Sequence, residues 1–224
     1  KSGTVRVRKK EMNVLLAIFV LIFFAGVGIS CYSSLRKHAA GELGLVYRST
    51  FVTREQMETW WQNAGEDERK YIKDMTLWKA PEEVNAVNTS LGQSAKAQLI
   101  KAAGNMNLIM PGKLCEGSLV SDGDNTGCVV SKTLAQKLNL DETGGMIQVS
   151  GKQYQVRGIL DSSEAVCIIQ GGSGTLYSRV QVQYRNMPAS SAEQMLLGLL
   201  PGTADARAEG DLFSGLGGLF LMAP

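Results

Sequence analysis

The sequence predicts an α+β chain: a mixed α/β domain outside the cytoplasm, tethered by an N-terminal transmembrane helix and followed by the start of a second membrane segment. Three observations carry that prediction. Met12 to Leu35 is a run of 24 residues without a charge, and a helix crosses a bilayer with roughly 20 apolar residues. Lys1, Arg6, Arg8, Lys9 and Lys10 precede the run, opposed only by Glu11, while only Arg36 and Lys37 follow it closely. Beyond it, short alternating apolar runs are interleaved with capping-box sequences, the texture of strands and short helices in one domain.

The flanking charge orients the span. Basic residues close to a membrane helix stay on the cytoplasmic side, so residues 1–11 are expected inside and residues 36–203 outside. A cleaved signal peptide has a shorter apolar core, about 7–15 residues, although Ala25-Gly26-Val27-Gly28 offers a small-residue site. A buried core helix rarely stays wholly apolar for so long. The anchor accounts for length and flanks together.

Charge narrows the partners. The whole chain carries +2, but the first 38 residues hold seven cations and one acid, leaving sixteen cations against twenty acids in the remaining 186. A mildly acidic exterior domain lacks the basic stripe that nucleic acid requires.

Thr53-Arg54-Glu55-Gln56 reads as a capping box opening a helix that ends near Asn63, with Met57, Trp60 and Trp61 on one side. Two adjacent tryptophans suit either packing beneath a sheet or the lipid interface, and packing is the reading preferred here. Gly65 to Lys73 adds a further helical turn or two. Strands then follow at Met75–Trp78 and Val84–Val87. Ser94 to Ala103 has helical composition in a strand-like neighbourhood, so both states stay open. Asn107–Met110 is a short apolar run stopped by Pro111-Gly112.

Cys128–Val130 is a buried strand, and Ser131 caps a helix over Thr133–Leu138. Met146–Val149 and Tyr154–Val156 form a hairpin about Ser150-Gly151-Lys152. Further strands fall at Gly158–Leu160, Val166–Ile169 and Val180–Tyr184. Ser190-Ser191-Ala192-Glu193 reads as a second capping box, opening a helix that stops at Pro201. Residues 204–211 form a polar linker, and Leu212 to Pro224 looks like the opening of a second, truncated membrane helix.

The chemistry sought is largely absent, so no catalytic, cofactor-binding or metal-binding residues are assigned and no cofactor is expected. His38 is the one histidine. No phosphate-binding G-x-x-x-x-G-K-[ST] occurs: Gly151-Lys152 comes closest, but Met146 stands where glycine is required. Asp122-Gly123-Asp124-Asn125-Thr126-Gly127 imitates the start of a calcium loop, yet Thr133 occupies the position of its bidentate glutamate. The four cysteines, Cys31, Cys115, Cys128 and Cys167, form no C-x-x-C. A Cys115–Cys128 bridge stays open beside buried free thiols. The acidic runs Glu66-Asp67-Glu68 and Glu82-Glu83 have no evident catalytic partner.

Gly117 to Leu160 resembles the extracytoplasmic core domain of MacB-like permeases in the FtsX superfamily of ABC transporters. The resemblance rests on the polar turn Asp122–Gly127, the strand Cys128–Val130 and the helix Thr133–Leu138, followed by the isolated Gly145 and the hairpin arm Tyr154–Leu160. Gly127-Cys128 and Val166–Gln170 are similar to the Gram-positive members. Asn139-Leu140 departs from the family's usual Phe-Gly. The resemblance implies a non-enzymatic permease component whose exterior domain couples ATP hydrolysis by a cytoplasmic ABC ATPase to export or mechanical signalling. It also implies lipid contacts and either other permease subunits or a second copy as partners. The alternative weighed against it is a pilin-like or secretion-apparatus subunit with one membrane helix. Lys9-Lys10-Glu11 before the span lacks the glycine such a subunit needs.

Overall fold

Whether Ser94–Gly104 becomes a helix or a strand decides the architecture, because this segment has chain on both edges. In the computed structural model, which describes residues 41–48, 50–140, 143–200 and 206–209, it is an eleven-residue strand. The elements, in order, begin with β1 (Glu42–Tyr47), α1 (Arg54–Asn63), α2 (Glu66–Tyr71), β2 (Ile72–Trp78), β3 (Glu82–Asn88) and β4 (Ser94–Gly104). A 3-10 turn (Met106–Ile109) leads to β5 (Lys113–Gly117), β6 (Gly127–Ser131), α3 (Lys132–Lys137), β7 (Met146–Val149) and β8 (Lys152–Asp161). The last elements are β9 (Val166–Gln170), β10 (Arg179–Tyr184), α4 (Ala189–Leu199) and β11 (Ala206–Glu209).

The eleven strands of the described residues belong to one sheet with two regions, and β5 is appended to β8. Six of them form a closed ring. Around it, β4 pairs β3, β3 pairs β7, β7 pairs β8, β8 pairs β6, β6 pairs β9, and β9 returns parallel to β4. The other region is an open wing in the order β11-β1-β10-β2, joined to the far end of β4 through Thr76↔Gly104, Leu77↔Ala103 and Trp78↔Ala102. Thus β2 and β3 run antiparallel to the same edge of β4, interrupted at Lys79-Ala80-Pro81. Pro81 has no amide to give a ladder, and Lys79 keeps one bond to the Lys101 carbonyl at 2.9 Å.

Side chains alternate across a strand, so β4 feeds three apolar cores. Ala97 and Leu99 point into the ring with Cys128, Val130, Ile147, Val156, Cys167 and Ile169. Helix α3 packs against β4, β6, β8 and β9 and adds Leu134, Ala135 and Leu138 to that core. Further along the same face, Ala103 joins the wing core of Leu43, Leu45, Val180 and Val182, covered by Met57 of α1 and by Ala192 and Leu196 of α4. On the opposite face, Ile100 and Ala102 meet Val129, Ile168 and Leu160 beneath Met106, Leu108, Ile109 and Val120.

The caps follow the local chemistry. The Thr53–Gln56 box makes both reciprocal bonds, at 3.2 and 2.9 Å. Ser131 accepts from the Leu134 amide at 3.1 Å and from Val166 of β9 at 2.9 Å, so one hydroxyl fixes both a helix start and a strand. The turn at Ser150-Gly151 uses positive φ values of 50° and 80°, the left-handed pair that a two-residue hairpin needs.

Several expectations are settled or corrected. Ser94–Ala103, open between helix and strand in the sequence, is strand, because pairing on two edges outweighs its helical composition. The helix expected from Ser190 starts at Ala189 behind Pro188, with no side-chain cap, so Ser190 lies in its first turn. Proline's fixed φ supplies the entry instead. Residues 206–209, expected within a linker, form β11 against β1. Strands β1 and β5 add to the elements the sequence predicts. The predicted span at 12–35, His38, Cys31 and the apolar segment 212–224 lie outside the described residues. Among the described residues no helix is long and apolar enough to cross a membrane.

Leu99 is 1% exposed in the shared strand. Leu99→Ala is expected to destabilise by about 2–5 kcal/mol, whereas Thr53→Ala, which removes only a cap, should cost about 1 kcal/mol. Chemical denaturation compares the two, and the reverse order would contradict the central position of β4.

Candidate functional site

Two features outside the ring have the geometry to act on something else. The first is the edge where the described domain begins and ends. Among the described residues strand β11 pairs only with β1, in the register Gly44↔Glu209, Leu45↔Ala208, Val46↔Arg207 and Tyr47↔Ala206. The pair is antiparallel, so the start of β1 and the end of β11 lie at the same end of the wing. Chain therefore enters and leaves the sheet side by side. The entry is pinned: the Tyr184 amide donates to the Gly41 carbonyl at 2.6 Å. Gly41 sits at φ 101°, and a Cβ there would stand 2.8 Å from the Tyr184 carbonyl oxygen. Only glycine fits that approach without strain. Glu42, the next residue, has its carboxyl pushed above the ordinary range by burial. At the same end Arg185 clamps the α2–β2 junction, with its amide on the Tyr71 carbonyl and its Nε on the Lys70 carbonyl, both at 2.8 Å.

The second feature is an open cleft of about 760 Å³ between α1, β2, the β4 end and residues 119–122. Its floor is apolar, with Met57, Trp61, Met75, Leu119 and Val120. Trp60 packs on the wing core, as preferred from the sequence, while Trp61 is 36% exposed and faces the cleft. Arg54 bridges the mouth, with Nη2 to Asp122 Oδ2 and Nε to Glu58 Oε1, each at 2.7 Å. The Glu58 bond, more than the Asp122 charge, raises the guanidinium's already high pKa. Asp122 Oδ1 also accepts the Gly104 amide at 3.0 Å, tying the mouth to the end of β4. Asp74 takes the Met75 amide at 2.8 Å and the Asn105 side-chain amide.

Of the acidic residues singled out in the sequence, Asp122, Asp124, Glu82 and Glu83 are occupied structurally. Asp124 Oδ1 accepts from the Thr126 hydroxyl at 2.6 Å, the Thr126 amide at 2.9 Å and the Gly127 amide at 3.2 Å, which closes the polar turn on itself. The Thr126 hydroxyl contributes most to holding the Asp124 carboxyl below its ordinary pKa. Glu82 lies between Lys101 and Lys79 at 2.8 and 2.9 Å, and Lys101 leads the two in lowering its pKa. Glu83 pairs with Lys96 at 2.8 Å across the β3–β4 hairpin. Lys152 lies 5.3 Å from the Tyr154 ring centroid at the hairpin turn. Among the described residues no group of three or more His, Cys, Asp or Glu side chains is placed to hold a metal.

The bridge left open between Cys115 and Cys128 is excluded by topology. Strands β5 and β6 pair opposite edges of β8, with Ile159 facing Glu116 on one side and Val130 on the other. Two strand spacings of about 4.8 Å separate them, beyond the Cα reach of a disulfide. Cys115 is exposed, whereas Cys128 is buried.

Comparison with known proteins agrees with this geometry. The sequence matches the MacB-like periplasmic core domain over residues 14–212. The chain therefore belongs to the MacB-like periplasmic core domain family, which supersedes the pilin-like alternative. No curated protein matches. Among solved structures, the fold is similar to the periplasmic region of MacB from Actinobacillus actinomycetemcomitans. The TM-score is 0.62 at 14% identity, over 83% of this chain and 95% of that one. It is also similar to the extracellular domain of the noncanonic ABC-type transporter YknZ from Gram-positive bacteria, with TM-score 0.54 at 17% identity over 75% of this chain and 98% of that one. At these identities the likeness concerns the fold alone.

The Arg54–Asp122 pair is partly exposed, with side chains 29% and 47% accessible. A double-mutant cycle of Arg54→Ala and Asp122→Ala should give a coupling of about 0.2–1 kcal/mol that shrinks with added salt. Asp122→Ala alone should cost more than Arg54→Ala, because it also strips the Gly104 amide of its acceptor. Equal single effects would contradict that assignment.

Proposed function

With membership of the MacB-like periplasmic core domain family as premise, we propose that the chain is the exterior head, with its membrane attachment, of an ABC-transporter permease of the MacB/FtsX type. The head does no chemistry. ATP is hydrolysed by a separate cytoplasmic ABC ATPase, and membrane segments before and after the head carry the resulting movement to it. The output is export of a cargo or a mechanical signal to an exterior partner. The permease works against membrane lipid together with other permease subunits or a second copy.

The observation that best supports this reading is the pairing of β1 with β11. A lever needs its two attachments close together on a stiff body; otherwise their relative motion deforms the body instead of moving it. Here the attachments are neighbouring strands of one ladder, and β1 is hydrogen-bonded to the rest of the wing through β10. The charge bias Lys1, Arg6, Arg8, Lys9 and Lys10 supports the orientation, with the head outside.

Cys115 provides a native probe of both placement and movement, since it is exposed while Cys128 and Cys167 are buried. In intact cells a membrane-impermeant maleimide should label the full-length protein at Cys115, and Cys115→Ser should remove that label. In membranes containing the partner ATPase, the environment of a fluorophore on Cys115 should change with ATP, but not with a hydrolysis-deficient ATPase. Labelling only after lysis, or a head indifferent to ATP, would refute the proposal.

A further inference from the structure

Helix α1 turns one stripe toward the cleft along its whole length. Arg54, Met57, Glu58, Trp61 and Gln62 line it, at the three- and four-residue spacing of a single helix face. Eight helical rises separate Arg54 from Gln62, so the cleft is a groove about 12 Å long. Its two ends differ. At one, beside the end of β4, Arg54 holds Glu58 and Asp122, and Asp122 takes the Gly104 amide. At the other stand Trp61 and Lys73. Lys73 follows Ile72, which faces Tyr184, and the Tyr184 amide holds the Gly41 carbonyl. The Lys73 end is therefore the end at which chain enters the domain.

The lining says what fits. Between the ends the floor is Met57, Met75, Leu77, Leu119 and Val120, and methionines adapt to an irregular apolar guest. The polar groups around that floor are largely spent on one another. Besides the Arg54 bonds, Asp74 takes the Met75 amide and the Asn105 side-chain amide, and Asn105 Oδ1 takes the Asn107 amide at 3.0 Å. A peptide laid there would leave its own amides and carbonyls short of partners; an alkyl chain needs none. Lys73 is the exception. It is exposed, and among the described residues it is the one charged side chain of the lining without an ion-pair or hydrogen-bond partner. Strand β10 skips it: Ile72 faces Tyr184 and Asp74 faces Gln183, so Lys73 is the extra residue of a bulge, a device that re-aims a side chain. The Arg54 end sets two acids against one base, which directs a negative headgroup to Lys73 instead.

We propose that this groove binds a single-chain anionic lipid, its headgroup on Lys73 beside Trp61 and its alkyl chain over Met75 and Met57 toward Arg54. The proposal rests on the reading above for the source of the ligand. With the head outside, the end at which chain enters faces the bilayer, and an exposed tryptophan beside a lysine suits the headgroup layer.

The test uses full-length protein in phosphatidylcholine nanodiscs, with a dodecanoate carrying a diazirine near its tail as probe. After photolysis, mass spectrometry should find label at Met57 and Met75, and unlabelled dodecanoate should displace it. Dodecanol at the same mole fraction should compete about fivefold less well, the difference being the Lys73 charge. Lys73→Glu should remove that advantage while dodecanol competes as before, which shows the groove intact, and Lys73→Arg should keep it. Trp61→Ala should weaken both competitors. No label at the floor, or equal competition by acid and alcohol in the unsubstituted protein, overturns the proposal. Label lost as copies per nanodisc increase would give the groove to a second copy. Displacement by an uncharged amphipathic peptide ahead of dodecanoate would give it to a peptide, and either result overturns the lipid site. Nanodiscs expose both membrane faces, so the result is independent of where the head lies in cells. A labelled floor with Cys115 shielded from outside keeps the lipid site and rejects the placement, whereas an unlabelled floor with Cys115 accessible rejects the site alone.

Discussion

The ladder that β4 makes on both edges is the constraint from which the rest of the domain follows. One edge holds β3 and then β2 in succession; the other holds β9. Without it the ring does not close and the wing has nothing to join. Because its side chains alternate, the strand also divides the apolar interior, sending Ala97, Leu99 and Ala103 to one face and Ile100 and Ala102 to the other. The small residues matter as much as the large ones. Ala86 of β3 and Ala97 of β4 lie buried on the ring face, and the tight circumference leaves little room there for bulk.

Polar groups near this strand serve to fix it. Thr76 Oγ1 donates to the Asn105 carbonyl at 2.6 Å, and Gln170 Nε2 donates to the Gly104 carbonyl at 3.2 Å, so the end of β4 is bound from two sides. Asn88 ties the opposite end to α3 through the Leu138 carbonyl at 2.9 Å. Asp122 then extends the connection to the cleft mouth. Thr76, Asn88 and Gln170 are buried and would cost free energy if left unpaired, and the Thr76 and Gln170 bonds tie the end of β4 to wing and ring alike. A domain that carries displacement from an edge to a distant surface needs that property more than it needs a reactive centre.

How much of this the sequence discloses depends on the range of the interaction. The Thr53–Gln56 box, the Ser131 cap and the Ser150-Gly151 turn are legible because each is settled within four residues. Val166–Gln170 and Cys128–Val130 are legible because burial on both faces leaves continuous apolar runs. Ser94–Gly104 is not, since alanine, lysine and glutamine favour a helix and only partners far along the chain make it a strand. Ala206–Glu209 is illegible for the same reason, being four residues whose strand state depends on β1. Glu42–Tyr47 does carry a readable signal, with Leu43, Leu45 and Tyr47 alternating into the wing core. The cleft could not be foreseen, because it gathers residues 54–62, 73–77, 103–107 and 119–122 across the fold. The Ser190 box misleads because the pattern is satisfied without the geometry: Pro188 starts the helix first.

The central claim is that wing and ring are one mechanical body held by β4. Native-state amide hydrogen exchange on the full-length protein in lipid measures it directly, since exchange reports the free energy at which each segment opens. The account predicts that amides of β10 and β2 in the wing exchange at the same opening free energy as those of β6 and β9 in the ring, equal to that of global unfolding. A wing that opens at markedly lower free energy while the ring stays protected would contradict it.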